Sequence, residues 1–98
     1  MAKGYWVVTY RSVRDMNGVQ DYAKVAGPAI QAAGGKTLVR TSDRIEPHES
    51  GLAQRTVVIE FESFAKASAA YSSDAYQQAV KVLGDSAQRD VRIVEGVE

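Results

Sequence analysis

Apolar positions alternate from the start of the chain. Tyr5, Val7 and Thr9 interleave with Trp6, Val8 and Tyr10, and both sets are good β-formers, so residues 5–11 are predicted to form a strand apolar on two faces. The break at residues 15–18 changes the period. Val19, Tyr22, Ala23, Ala26, Ile30 and Ala33 recur at helical spacing. Within that helix Gly27-Pro28 predicts a kink or a break, because proline removes a backbone donor and crowds the preceding turn. Gly34-Gly35 predicts its end, since glycine adopts the left-handed cap at little cost.

Alternation returns at residues 36–41, the second predicted strand. A polar loop containing Pro47 and Gly51 spans residues 42–54. Residues 55–62 form the third strand, with Val57, Ile59 and Phe61 on one face and Val58 and Glu60 on the other. Ser63 is placed to cap a helix carrying Phe64, Ala67 and Tyr71. Ser73 or Asp74 caps a further helical segment that turns Tyr76, Ala79, Val80 and Leu83 inward, and Asp74 and Gln77 have the spacing of a capping box. Gly84 ends that segment, and residues 91–95 are the last strand.

The order β-α-β-β-α-β is the ferredoxin-like pattern of an α+β domain: a four-stranded antiparallel sheet with two helices on one face, here one domain over residues 1–98. The second face of the sheet then needs a cover. Trp6, Val8, Tyr10, Val39, Val58 and Val94 are read as that face. A second copy of the chain is the simplest cover, giving a homodimer around a barrel-like interior.

Length makes this plausible. A chain of 98 residues buries roughly 60–70% of its unfolded surface, which leaves one core marginal without a partner subunit. Lys+Arg and Asp+Glu both number 12, so the formal net charge is zero. That argues against nucleic acid and membrane surfaces as partners, since both favour a basic excess. With no cysteine, thiolate nucleophiles, thiolate zinc sites and disulfides are excluded. No secretory leader or membrane span is legible, so a cytoplasmic protein is expected.

Four stretches carry a family resemblance: AGPAIQAAGGKTLVR (26–40), R-x-V-V-I-E-F-x-S (55–63), A-x-x-x-Y-x-S-x-x-Y (67–76) and R-I-V-E-G (92–96). Together they resemble the family called domain of unknown function 1330, over nearly the whole chain. The resemblance implies a ferredoxin-like fold of the dimeric α+β-barrel type, found mostly in bacteria, with no agreed activity. Related barrels include small-molecule monooxygenases, isomerases and haem-degrading enzymes. Many members of the family carry an arginine a few residues after the tyrosine at Tyr76. Here the stretch reads QQAVKVLGD, with Lys81 and no arginine until Arg89.

The candidate chemistry is sparse. Arg40 and Arg55 flank the loop between the second and third strands, so both fall at one rim of the sheet. Their planar forks suit a carboxylate or phosphate, unless each pairs with Glu60, Glu62 or an acid across a dimer. Glu60 shares its face with Val58, and a carboxylate in a partly apolar interior can act as general acid or base. His48, the single histidine, lies in the loop between Glu46 and Glu49, a weak set for a metal. Trp6 and Tyr10 are candidates to line a cavity, with Tyr76 beside them as a ligand contact. Ser63 and Ser73 have no base nearby, so a hydrolase triad is not expected. No glycine motif cradles phosphate, and neither a metal nor a cofactor is expected.

The sequence therefore predicts a small homodimer that binds a small anionic or polar-aromatic metabolite. Arg40 and Arg55 would orient the anion, Trp6 and Tyr10 would supply walls, and Glu60 would fix Arg55 or a ligand hydroxyl. A cofactor-independent isomerase, decarboxylase or monooxygenase using Glu60 or His48 is the alternative. A structural or partner-binding dimer is the third.

Overall fold

In the computed structural model, which describes residues 2–98, seven elements follow one another: β1 (Gly4–Val13), α1 (Met16–Ala32), β2 (Lys36–Thr41), β3 (Thr56–Phe61), α2 (Phe64–Ser72), α3 (Asp74–Leu83) and β4 (Ala87–Glu95). The strands form one antiparallel sheet in the order β2-β3-β1-β4. This is the α+β ferredoxin-like arrangement, with the second helical region divided in two. The division falls at Ser73. Its hydroxyl donates to Ala70 O at 2.8 Å and accepts from the Tyr76 amide at 3.2 Å, so one side chain closes α2 and opens α3. Ser63 caps α2 in the ordinary way, accepting from the Lys66 amide at 3.1 Å.

Register settles which residues share a face. Trp6 lies opposite Ile59 and Ile93, Val8 opposite Val57 and Val91, and Tyr10 opposite Arg89. These side chains meet the helices. Tyr5, Val7 and Thr9 face the other way with Val58, Glu60, Arg92 and Val94. The expected grouping of Trp6, Val8 and Tyr10 with Val58 and Val94 is therefore corrected: the first strand is turned over. Its two faces are equally apolar, so alternation alone does not choose between them. The Trp6 indole decides it, because a buried N–H needs an acceptor. It finds one in Ala67 O of α2, at 2.8 Å.

Trp6 is also the centre of the core. Its ring lies 4.7 Å from that of Tyr76, 5.1 Å from Phe61 and 5.8 Å from Tyr71, at the tilted and edge-on angles aromatic pairs favour. Gly4, two residues earlier on the same face, makes room for the turn into α2. A Cβ there would lie 2.3 Å from the backbone oxygen of Ser63.

α1 begins three residues earlier than its apolar period suggests, because the Asp15 carboxylate caps it by accepting from the Asn17 amide at 3.0 Å. It also runs without interruption through Pro28, where a break had been expected. Pro28 and Lys24, whose carbonyl loses its partner, are both exposed, so water can take the place of the missing donor. The end is as predicted. Gly34 takes φ +87°, and the Gly35 and Gly34 amides return to Ile30 O and Gln31 O at 2.9 and 3.0 Å, a Schellman closure. Among the described residues no helix is long and apolar enough to cross a membrane.

Candidate functional site

α1 crosses the sheet with small side chains turned towards it. Ala23, Ala26 and Gly27 stand over Val8, Val57 and Ile59, and nothing large fills the gap. The result is a cavity of about 470 Å³ between the helix and the sheet, within the range of small-molecule sites. Its walls are mostly apolar, with Trp6, Val19 and Ile30 completing the inner part and Gln31 and Thr37 adding two uncharged polar side chains.

The charged groups gather at one end. Arg40 of β2, Arg55 at the entry to β3 and Arg89 of β4 all line the cavity, together with Tyr10 and Tyr22. The sheet brings them into a row. Tyr10 stands on the central strand β1; the Arg55 guanidinium lies 5.6 Å from its ring centre and that of Arg89 5.8 Å. No aspartate or glutamate lines the cavity. None of the salt bridges among the described residues involves these three arginines; they use Lys3, Arg11, Arg14, Lys24, His48 and Arg92 instead.

Each arginine is held differently. Arg40 is exposed at the lip. Arg55 donates from one terminal nitrogen to Ser42 Oγ at 2.9 Å, while its Nε is buried and has no acceptor. Arg89 is fixed inside: its terminal nitrogens donate to Tyr22 Oη at 3.0 Å and Tyr76 Oη at 3.3 Å, and its charge lies 4.8 Å from the Tyr22 ring centre. The two hydroxyls are themselves bonded at 2.6 Å. Burial pushes the Tyr22 hydroxyl well above the usual tyrosine range, and the Tyr76 oxygen adds to that more than Arg89 offsets it. Burial also opposes the Arg89 charge, but the tyrosine oxygens outweigh this and the guanidinium stays protonated.

The sequence candidates separate accordingly. Arg40, Arg55, Trp6 and Tyr10 come together around the cavity. Tyr76 sits behind it, fully buried, and reaches it through Tyr22 and Arg89. Glu60 is on the opposite face of the sheet. It accepts from Tyr5 Oη at 3.2 Å and lies 4.0 Å from Lys3 Nζ, so it fixes neither Arg55 nor anything in the cavity. His48 is exposed in the loop, 2.5 Å from Glu46 Oε2, and does not line the cavity. Among the described residues no group of three or more His, Asp or Glu side chains converges as a metal site.

Arg89 and Tyr22 were not singled out by the sequence. Arg89 precedes the apolar run 91–95, and β4 begins four residues ahead of that run, at Ala87. The available signal was the strand-pairing order, which sets β4 beside β1 and hence Arg89 beside Tyr10. The tyrosine at Tyr76 does have an arginine beside it, but from β4; Lys81 is exposed.

A ferredoxin-like α+β chain with a cationic-rimmed cavity under its first helix is thus defined by its geometry. Residues 3–97 match the family model described as domain of unknown function (DUF1330), and the chain belongs to that family. No curated protein matches it. Among solved structures, the RPA0582 protein of unknown function from Rhodopseudomonas palustris is similar, with TM-score 0.71 and 16% identity over 99% of this chain and 84% of that one. A Caulobacter crescentus protein provisionally named an antibiotic biosynthesis monooxygenase aligns with TM-score 0.64 and 17% identity, over 99% and 92% of the two chains. An ethyl tert-butyl ether d (ethd) family protein from Bacillus halodurans gives 0.61 and 12%, over 99% and 100%. At these identities the likeness is one of fold.

Proposed function

We propose that this protein is a small cytoplasmic homodimer that binds an anionic, partly apolar metabolite in the cavity beneath α1. The observation that carries the reading is the state of the arginines. Three guanidiniums gather at one end of an apolar cavity without a carboxylate among its walls, and Arg55 keeps a buried Nε–H with no acceptor. An unsatisfied buried donor costs roughly 1–3 kcal/mol, more when it is charged. Like charges so placed also repel one another. An anion at the rim relieves the repulsion among the guanidiniums, and its apolar body fills the space left by Ala23, Ala26 and Gly27.

Catalysis receives less support. The cavity walls contain no histidine, lysine or carboxylate, and the two groups expected to move protons, Glu60 and His48, lie elsewhere. Binding alone accounts for the polar groups that are present.

The test is a thermal-shift screen with small carboxylates, phosphates and aromatic acids, repeated on Arg40→Ala and Arg55→Ala. A ligand at a hundred times its dissociation constant adds about 2.7 kcal/mol, which raises the midpoint of a domain this size by on the order of 10 °C. Hits lost in Arg55→Ala are expected. A screen without hits, or hits indifferent to both arginines, overturns the reading.

A further inference from the structure

The inner polar cluster has one more proton than it has internal acceptors. Tyr22 and Tyr76 carry two hydroxyl hydrogens between them, and their oxygens lie 2.6 Å apart, so one hydrogen is used in that bond. Both oxygens also accept from Arg89, which has only donors. The second hydroxyl hydrogen must find an acceptor elsewhere.

The two hydroxyls are not equivalent. Tyr76 is 1% exposed, does not line the cavity, and has no acceptor beyond Tyr22 among the described residues. If Tyr22 donated to Tyr76, the Tyr76 hydrogen would be buried and unsatisfied, at the cost described above. If Tyr76 donates to Tyr22, the remaining hydrogen belongs to Tyr22, which lines the cavity. That direction leaves nothing stranded in the core. It also leaves Tyr22, a residue of the cavity wall, with a hydroxyl hydrogen to donate from an oxygen that already accepts from a guanidinium and a phenol, and such a chain strengthens the donor.

From this accounting we infer that the ligand is an organic carboxylate with a second, uncharged oxygen acceptor, such as the keto oxygen of a 2-oxo acid, which the Tyr22 hydroxyl reads. The inference rests on the anion-binding reading of the same cavity and refines it. The carboxylate meets the rim at Arg55 and Arg40, and the keto oxygen accepts from Tyr22. Tyr76 and Arg89 act as positioning residues: they set the direction of the Tyr22 hydroxyl without touching the ligand's keto group.

The experiment compares two probes of the same charge and skeleton, phenylpyruvate and 3-phenylpropanoate, by calorimetry on the wild-type protein, Tyr22→Phe, Tyr76→Phe and Arg55→Ala. Circular dichroism confirms that each variant folds. Wild type should bind the keto acid about tenfold tighter than the deoxy acid, as expected for one hydrogen bond of about 1.4 kcal/mol. Tyr22→Phe should abolish that preference while still binding both acids, and Tyr76→Phe should keep it. Equal affinity of wild type for the two acids, with both weakened in Arg55→Ala, overturns the Tyr22 inference and leaves the anion site standing. A keto preference that appears only in Tyr76→Phe overturns it also, because Tyr22 would then have been donating inward. Failure of both acids to bind wild type overturns the carboxylate assignment, while the anion reading stands or falls with the thermal-shift screen, phosphates included.

Discussion

Tyr22 shows how much one side chain can carry here. It is a core residue of α1, a wall of the cavity and the partner of both Arg89 and Tyr76. Its hydroxyl is held above the ordinary value near 10, chiefly by burial. The unfolded chain therefore loses this proton first as pH rises. The stabilisation is complete below about pH 10 and is lost as the pH climbs towards the folded-state value. We expect the urea midpoint to fall steeply above about pH 10, with a shallower fall in Tyr22→Phe. Tyrosinate absorbance should show a phenol that ionises only as the protein unfolds. A Tyr22 that titrates freely near pH 10 in the folded state would contradict the buried cluster.

At the scale of elements, what was legible in the sequence is what local chemistry controls. Ser63, Ser73 and Gly34 each act where the sequence placed them, because a cap depends on neighbours three or four residues away. Ser73 does more than a cap, since it bonds both α2 and α3. Ser73→Ala should cost about 1–2 kcal/mol, read as a lowered thermal midpoint, and Ser73→Thr should recover part of it. An unchanged midpoint would mean that packing alone joins the two helices. What local chemistry does not control was missed. β1 is apolar on both faces, so only its register with β3 shows that Trp6 and Tyr10 meet the helices. Pro28 leaves α1 unbroken because its lost bond is exposed to water. Of the cavity, Arg40 and Arg55 were placed by the loop they flank, and Trp6 and Tyr10 were named as wall residues but on the other face of the sheet; Arg89 was missed because Gln88, Arg89 and Asp90 carry no apolar alternation and join β4 through pairing with β1.

Over the whole molecule, a net charge of zero conceals uneven pairing of the charges. The carboxylates of Glu60 and Asp90 on the open face of the sheet are paired with Lys3, Arg11 and Arg92, while the cavity walls hold three arginines and no acid. The open face also carries half-buried Val7 and Val58 and exposed Val39 and Val94. Apolar surface of that kind between paired charges suits the face-to-face dimer we propose. Light scattering at micromolar concentration should give twice the chain mass, and Val58→Asp should halve it. A wild-type monomer would contradict the dimer but not the cavity, which is formed within one chain.

The central claim is that the Arg55 guanidinium awaits an anion, and its Nε–H reports on what that guanidinium meets. The most direct measurement is a nitrogen–proton correlation spectrum of the arginine side chains during titration with phenylpyruvate. The account predicts that the Arg55 Nε–H resonance moves downfield and its exchange with water slows, with smaller changes at Arg89 and none at Arg92 on the other face of the sheet. Saturable binding that leaves the Arg55 resonance in place, or that moves Arg92 instead, would contradict it.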